Sequence, residues 1–459
     1  MSTAASSKVM TTTFLSLSNS TFSFTILVPT IIALALVHRL VTTFLFSLLR
    51  HIPGPPLAAL TSLYLLFIDF SGNRTSTIHA WHRRYGPTIR IGPTELSFAD
   101  IDAVNTIYAQ GGPFGKSPSY DQYALPPAGI FAMRDREAHR RRRKLLAPAF
   151  AMSSLYEVEP LIMLHVRRLV DHLQRKTSGS VDALLAFRML SLDVTSELFL
   201  GKSFNVLSKV DEHGDLVVPG YVPDVEAFFI CTSLQWQFPW ALKLVGMLPF
   251  KGLQYWLDSG ERVCQVGLDA VASRSNVDPQ DTKRKNMMTN MIDASKADES
   301  SVHSMTDFQI GRELSNMLLA GTGKSLHLVL HLTARMKLVT QRTLLRLPML
   351  TLVSFLIDTT STSLTYLFWE LAKQPSWQAR IVSELNATRV ELNVSNLADL
   401  TFRQFSELPV LDAVITEALR LHPAAPGSLP RTCADGHAII SGTVVPSGVS
   451  CARITSPTA

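Results

Sequence analysis

Apolar and polar positions follow two different rules along this chain. From Phe22 to Val37 the residues are almost continuously apolar, His38 and Arg39 interrupt, and a second apolar run extends from Leu40 to Leu49. A bilayer-spanning helix needs about 20 mostly apolar residues, so this stretch predicts a membrane helix near the amino end. Pro53-Gly54-Pro55-Pro56 then follows, a run that cannot continue a helix and favours a stiff extended turn. Beyond it, periodicity replaces continuity. Trp81–Tyr85 closes a helix, and Thr88–Ile91 and Glu95–Phe98 alternate as two short strands meeting at a turn. Apolar residues at helical spacing predict helices over 155–175, 181–200, 260–272, 305–320, 361–373 and 407–421. The polar stretch 273–304 predicts a linker between two of them. The expected fold is mainly α with a minor β-sheet near the start. The expected organisation is a leader and anchor over 1–51, a proline-rich hinge over 52–57 and one body over 58–459.

Composition refines this picture. At 459 residues and 46% hydrophobic content the chain can bury a large core. Four scattered cysteines, Cys231, Cys264, Cys433 and Cys451, are too few for a disulfide framework and fit a reducing, cytosol-facing compartment. Basic residues after the span outnumber those before it, which keeps the body cytoplasmic. A cleaved signal peptide would want a charged start and a small-residue cleavage site, and neither is clear. The formal charge of +6 comes mostly from Lys324, Arg335, Lys337, Arg342 and Arg346, all inside 323–357, a segment with no acidic residue. The basic balance therefore carries no expectation of a nucleic-acid partner. Gly321-Thr-Gly323-Lys324-Ser325 imitates the end of a phosphate-binding loop, but Leu318 stands where such a loop needs glycine.

Chemistry concentrates in four places. Glu417 and Arg420 sit one helical turn apart in an otherwise apolar helix that ends Leu421-His422-Pro423. A buried pair there would fix a geometry rather than add net stability, whereas a surface pair would add a few tenths of a kcal/mol. Ala320-Gly321-Thr322 and Asp358-Thr359-Thr360-Ser361 read as two halves of one helical motif. His139 and Arg143 stand four residues apart in the charge-dense stretch 134–144. Leu429-Pro430-Arg431 follows the last helix.

Together these stretches, in order along the whole chain, resemble the cytochromes P-450, the haem-thiolate monooxygenases, in their fungal microsomal form. The resemblance implies that Ala320 and Gly321 leave room for dioxygen, that the Thr359 hydroxyl hydrogen-bonds it, and that Asp358 relays protons. It implies that His139, Arg143 and Arg431 reach haem propionates, and that Glu417 and Arg420 are structural. The other arginines of 134–144 would face outward, towards an acidic reductase. Aromatic residues over 225–250 would border a substrate channel, or belong to plain core or to a membrane-dipping surface.

Two departures stand out. Residues 323–357 divide the oxygen-handling motif, and we expect them to be translated intron or inserted sequence. The family's haem-cysteine loop, Phe-x-x-Gly-x-x-x-Cys-x-Gly, does not occur in these 459 residues, so no metal ligand is assigned. The chain then reads as truncated before that loop. The implied function is oxidation of a hydrophobic substrate in secondary metabolism, with dioxygen and NADPH electrons delivered by a reductase. The implied setting is a monomer held by one span in the endoplasmic reticulum membrane, facing the cytosol. The alternative is a haem-free, inactive membrane-anchored fragment of such an enzyme.

Overall fold

The computed structural model describes residues 27–123, 127–150, 152–175, 181–274, 288–289, 291–293, 305–322, 359–395, 397, 400–423, 429–434 and 436–453. The segment 323–357 and Asp358 lie outside the described residues. The chain divides into two compact units, one formed by 1–114 with 431–454 and the other mainly by 115–430.

The first unit begins with helix α1 (Leu27–Phe46), apolar and long enough to cross a membrane. Short helices α2 (Pro56–Leu60), α3 (Ser62–Phe70) and α4 (Arg74–Tyr85) lead to strands β1 (Thr88–Gly92) and β2 (Glu95–Phe98), then α5 (Ile101–Ile107) and β3 (Phe114–Lys116). The two strands pair antiparallel, as their alternation predicts. Four further strands come from the far end of the sequence: β4 (Arg431–Cys433), β5 (His437–Ile440), β6 (Thr443–Pro446) and β7 (Ser450–Arg453). β7 runs parallel to β2, giving a sheet of order β1-β2-β7-β4-β3, while β5 and β6 form a separate hairpin. The sheet is therefore not confined to the start of the chain. The proline-rich hinge is pinned rather than loose. The Arg90 amide donates to Pro53 O at 2.8 Å, and a Cβ on Gly54 would stand 2.2 Å from Arg90 O, so only glycine permits this approach.

The second unit is helical. It comprises α6 (Arg136–Leu146), α7 (Met152–Arg175), α8 (Ala183–Leu200), α9 (Tyr221–Gln237), α10 (Pro239–Gly246), α11 (Lys251–Leu257), α12 (Ser259–Arg274), α13 (Asp307–Thr322), α14 (Thr359–Lys373), α15 (Pro375–Glu391), α16 (Phe402–Ser406) and α17 (Pro409–Leu421). Each of the six helices expected from periodicity forms, with ends within three residues of the expectation. The apolar faces of α7, α8, α9, α12 and α13 meet in one core that includes Met189, Leu192, Val225, Val263, Ile310 and Leu314. Burial of such side chains stabilises by about 1.5–3 kcal/mol each, so this core dominates the unit's stability.

α12 and α13 pack at backbone contact. A Cβ on Gly267 would meet Gly311 O at 2.1 Å, and the Ser315 hydroxyl donates to Cys264 O while accepting from the Gly267 amide. The expected polar linker 273–304 is only partly one, because Met288, Met291 and Ile292 are buried in the same core. The aromatic stretch 225–250 also splits. Phe228 and Phe229 are core, whereas Trp236 and Trp240 are exposed.

Candidate functional site

Helix α6 sets the position of the charge-dense stretch. Asp135 caps it by accepting from the Ala138 amide at 2.6 Å, and Glu137 in its first turn with Arg143 and Lys144 in its last suit the helix dipole. Arg143 reaches a cavity of about 560 Å³ whose other walls are mostly apolar: Ile130, Leu146, Phe150, Thr195, Phe199 and Met317. His139, one turn earlier on the same side of the helix, is half-buried. The expectation that the neighbouring arginines all face outward fails at Arg142. Its guanidinium turns inward and donates to the buried Glu313 carboxylate at 2.9 Å. Arg141 does face outward, pairing with Glu137 at 3.1 Å across one turn.

The two halves of the split motif lie on separate helices that share a neighbour. Ala320 and Gly321 occupy the last turn of α13, and Thr359 opens α14. Both helices pack against α8, and they also touch each other. In α14 two hydroxyl side chains turn back on the helix. Ser363 Oγ donates to Thr359 O at 2.9 Å and Thr365 Oγ1 to Ser361 O at 2.6 Å, the bonding that bends and loosens a helical ladder. Ser361 Oγ is buried with no hydrogen-bond partner among the described residues. Asp358 lies outside the described residues.

Glu417 and Arg420 form a bidentate pair, with Nε to Oε2 at 2.7 Å and Nη2 to Oε1 at 2.8 Å. The arginine bonds hold the Glu417 carboxyl below its ordinary value. The pair is not buried. Its side chains are 51% and 55% exposed, so the surface alternative describes it and its Coulomb energy is screened by water. The adjoining His422 carries a contact that sequence reasoning missed. Its ring stacks on Tyr366 at 4.0 Å, with Nε2 2.9 Å from Glu370, and so ties the end of α17 to α14. Glu370 also binds Lys373 at 2.8 Å. Burial opposes ionisation of Glu370, but the bonds from Lys373 and His422 outweigh it and hold the carboxyl below its ordinary value. The signal available was the Glu370 and Lys373 spacing next to an aromatic pair, which resembles an ordinary solvated turn.

Arg431 belongs to the first unit, on β4, with its guanidinium over the Tyr108 ring at 5.3 Å.

Haem is the group the chain's motifs imply, and its two ends fare differently. Arg143 is itself exposed, at the edge of a mostly apolar cavity, an arrangement that suits an apolar ring bearing carboxylates because a guanidinium fork matches a carboxylate. The four thiols do not suit the axial position, which requires a deprotonated sulfur facing open space. Cys433 and Cys451 are in the buried core around the sheet, and burial, aided by the neighbouring Cys433, pushes Cys451 up to about 12. Cys264 is buried at the α12–α13 contact and Cys231 donates to Trp256 O; burial raises both thiols above their ordinary value. None of the four lines the cavity that Arg143 reaches.

Comparison with known proteins gives one consistent result. The family model described as cytochrome P450 matches residues 53–327 and 349–456. Cytochrome P450 monooxygenase stcB of Emericella nidulans is 27% identical over 414 residues, covering 87% of this chain and 68% of its own length. Cytochrome P450 monooxygenase tazI of Aspergillus terreus is 26% identical, covering 88% of this chain and 72% of its own length. Cytochrome P450 monooxygenase aflV of Aspergillus parasiticus is 28% identical, covering 89% and 72%. With its helical body, its small sheet and a family match along most of its length, the chain belongs to the cytochrome P450 family of monooxygenases.

Proposed function

We propose that this chain derives from a membrane-anchored enzyme that oxidises a hydrophobic substrate in fungal secondary metabolism, with dioxygen and electrons passed from NADPH by a reductase. The observation that supports the reading is that α13, which carries Ala320 and Gly321, and α14, which carries Thr359, both pack on α8 and touch each other. Haem, when bound, supplies the oxygen activation. The chain's own residues supply the rest. Arg143, His139 and Arg431 hold carboxylates, Ala320 and Gly321 leave room beside the helix, Thr359 offers a hydroxyl, and Asp358 takes up and releases protons at its carboxylate. Glu417 and Arg420 keep the turn after α17 in place, and α1 tethers the body to the endoplasmic reticulum membrane, facing the cytosol.

Residues 323–357 are, in this reading, translated intron or inserted sequence. In support, the family match passes over 328–348. The domain organisation is then anchor over 1–51, hinge over 52–57 and a catalytic body from 58 onward that the extra segment interrupts.

The seats of the four cysteines favour a second reading of the 459-residue form itself, as a membrane-anchored protein with no axial thiolate and no oxygenase activity. A carbon monoxide difference spectrum of the purified, reduced chain separates the two. With no thiol in place, no Soret band at the thiolate position is expected; such a band would show that one of the four cysteines reaches iron and would restore the first reading for this form.

A further inference from the structure

Glu313 is a buried carboxylate beside the cavity. Its side chain is 0% exposed, although it sits on α13 four residues before Met317, which lines the cavity. Two different walls converge on it. The Ile130 amide donates to Oε1 at 3.0 Å and to Oε2 at 3.3 Å, and Arg142 Nη1 donates to Oε2 at 2.9 Å. Ile130 lines the cavity itself, and Arg142 is the chain neighbour of Arg143.

The loop carrying Ile130 is fixed from its other sides as well. Lys116 Nζ donates to Ile130 O at 2.9 Å and to Phe131 O at 2.7 Å. A Cβ on Gly129 would stand 2.3 Å from Asn316 Nδ2, so the loop backbone lies directly on α13. Burial makes ionised Glu313 costly, and its pKa is raised above the ordinary value despite the Ile130 amide, Arg142 and Lys116. A carboxylate kept at a cost to stability, whose bonds to Ile130 and Arg142 go to a cavity wall and to the neighbour of another, is explained by geometry rather than by stabilisation.

We propose that Glu313 is a positioning residue of the cavity: one carboxylate holds the Ile130 wall against α13 and, through Arg142, fixes the turn of α6 that presents Arg143 to an anionic group on an apolar ligand. This deepens the proposed function, because it rests on Arg143 as the receiver of that anion.

The experiment has two arms, both on the full chain in detergent micelles. In the first, hydrogen exchange of the peptide covering 129–133 is compared between wild type and Glu313→Gln, at constant pH, with α8 peptides as the internal control for folding. Exchange at 129–133 should rise at least tenfold in the variant with α8 unchanged. Equal exchange would overturn the proposal, since the wall would not depend on Glu313. In the second arm, hemin is titrated into wild type, Glu313→Gln, Arg143→Gln and the double variant. Glu313→Gln should weaken hemin binding by roughly tenfold in the wild-type background, and by much less once Arg143 is already gone. An equal loss in both backgrounds would mean that Glu313 does not act through Arg143, and would overturn the proposal. Failure of wild type to bind hemin at all would overturn the part of the proposal that makes Arg143 the receiver of an anion, while the exchange arm still decides whether Glu313 holds the wall. Glu313→Asp, which keeps the charge on a shorter arm, should recover part of the affinity if position rather than mere polarity is the cause.

Discussion

At the scale of single residues, burial rather than spacing decides what a charge does. Glu417 and Arg420 have ideal spacing and bidentate geometry, yet they are half in water. Glu313 stands in Gly-Arg-Glu-Leu-Ser, a stretch that looks like a polar helix face, and is enclosed. Its role was illegible in the sequence because the partners, Ile130 and Arg142, are more than 170 residues away. Asp193 repeats the lesson within α8: its buried carboxylate accepts from the Ser203 hydroxyl and from the Val206 and Leu207 amides, fixing the turn after the helix. The raised pKa of Glu313 has a thermodynamic sign. A carboxyl that binds its proton more tightly when folded contributes stability that is present below its unfolded value, near 4.5, and lost as pH rises through the folded value. Thermal unfolding of wild type and Glu313→Gln between pH 8 and about 4.5 should therefore show the difference moving in favour of wild type on acidification, because only wild type takes up the extra proton. A difference that stays constant with pH would place Glu313 in a solvated setting.

At the scale of elements, the helices were legible and the later strands were not. Sustained amphipathic spacing identified α7, α8, α12 and α13, since each buries one stripe in a common core, and it identified α14 and α17 beside them. Strands β4 to β7 are three or four residues long, too short for alternation to register, and β7 finds β2 across more than 340 residues of chain. The α12–α13 contact was equally hidden, because a glycine in a helical pattern ordinarily counts as a weakness. Here Gly267 and Gly311 are what let the two backbones meet. Gly267→Ala should destabilise the protein by about 1–3 kcal/mol, because the new methyl collides with backbone rather than with the end of a pliable side chain. Denaturant unfolding checks this, and an unchanged midpoint would show that α12 and α13 can separate freely.

At the scale of the whole molecule, five motifs in the right order outweighed any one of them, and the family match extends along the same order. Ala320 and Gly321 lie in the last described turn of α13 and Thr359 in the first of α14, and both helices pack on α8; under the proposed function they are two pieces of one helix. The amides of Thr359, Thr360, Ser361 and Thr362 open the described part of α14, and a helical amide is protected from exchange by an acceptor one turn before it. Joining Thr322 directly to Asp358, by deleting 323–357, would place the α13 carbonyls in range of those amides. Hydrogen exchange at residues 359–362, in the full chain and in the excised one, therefore tests the account most directly. Exchange slowed markedly by the excision, with cooperative thermal unfolding retained, is the predicted result; unchanged or faster exchange, or loss of cooperative unfolding, would show that 323–357 belongs to the working fold.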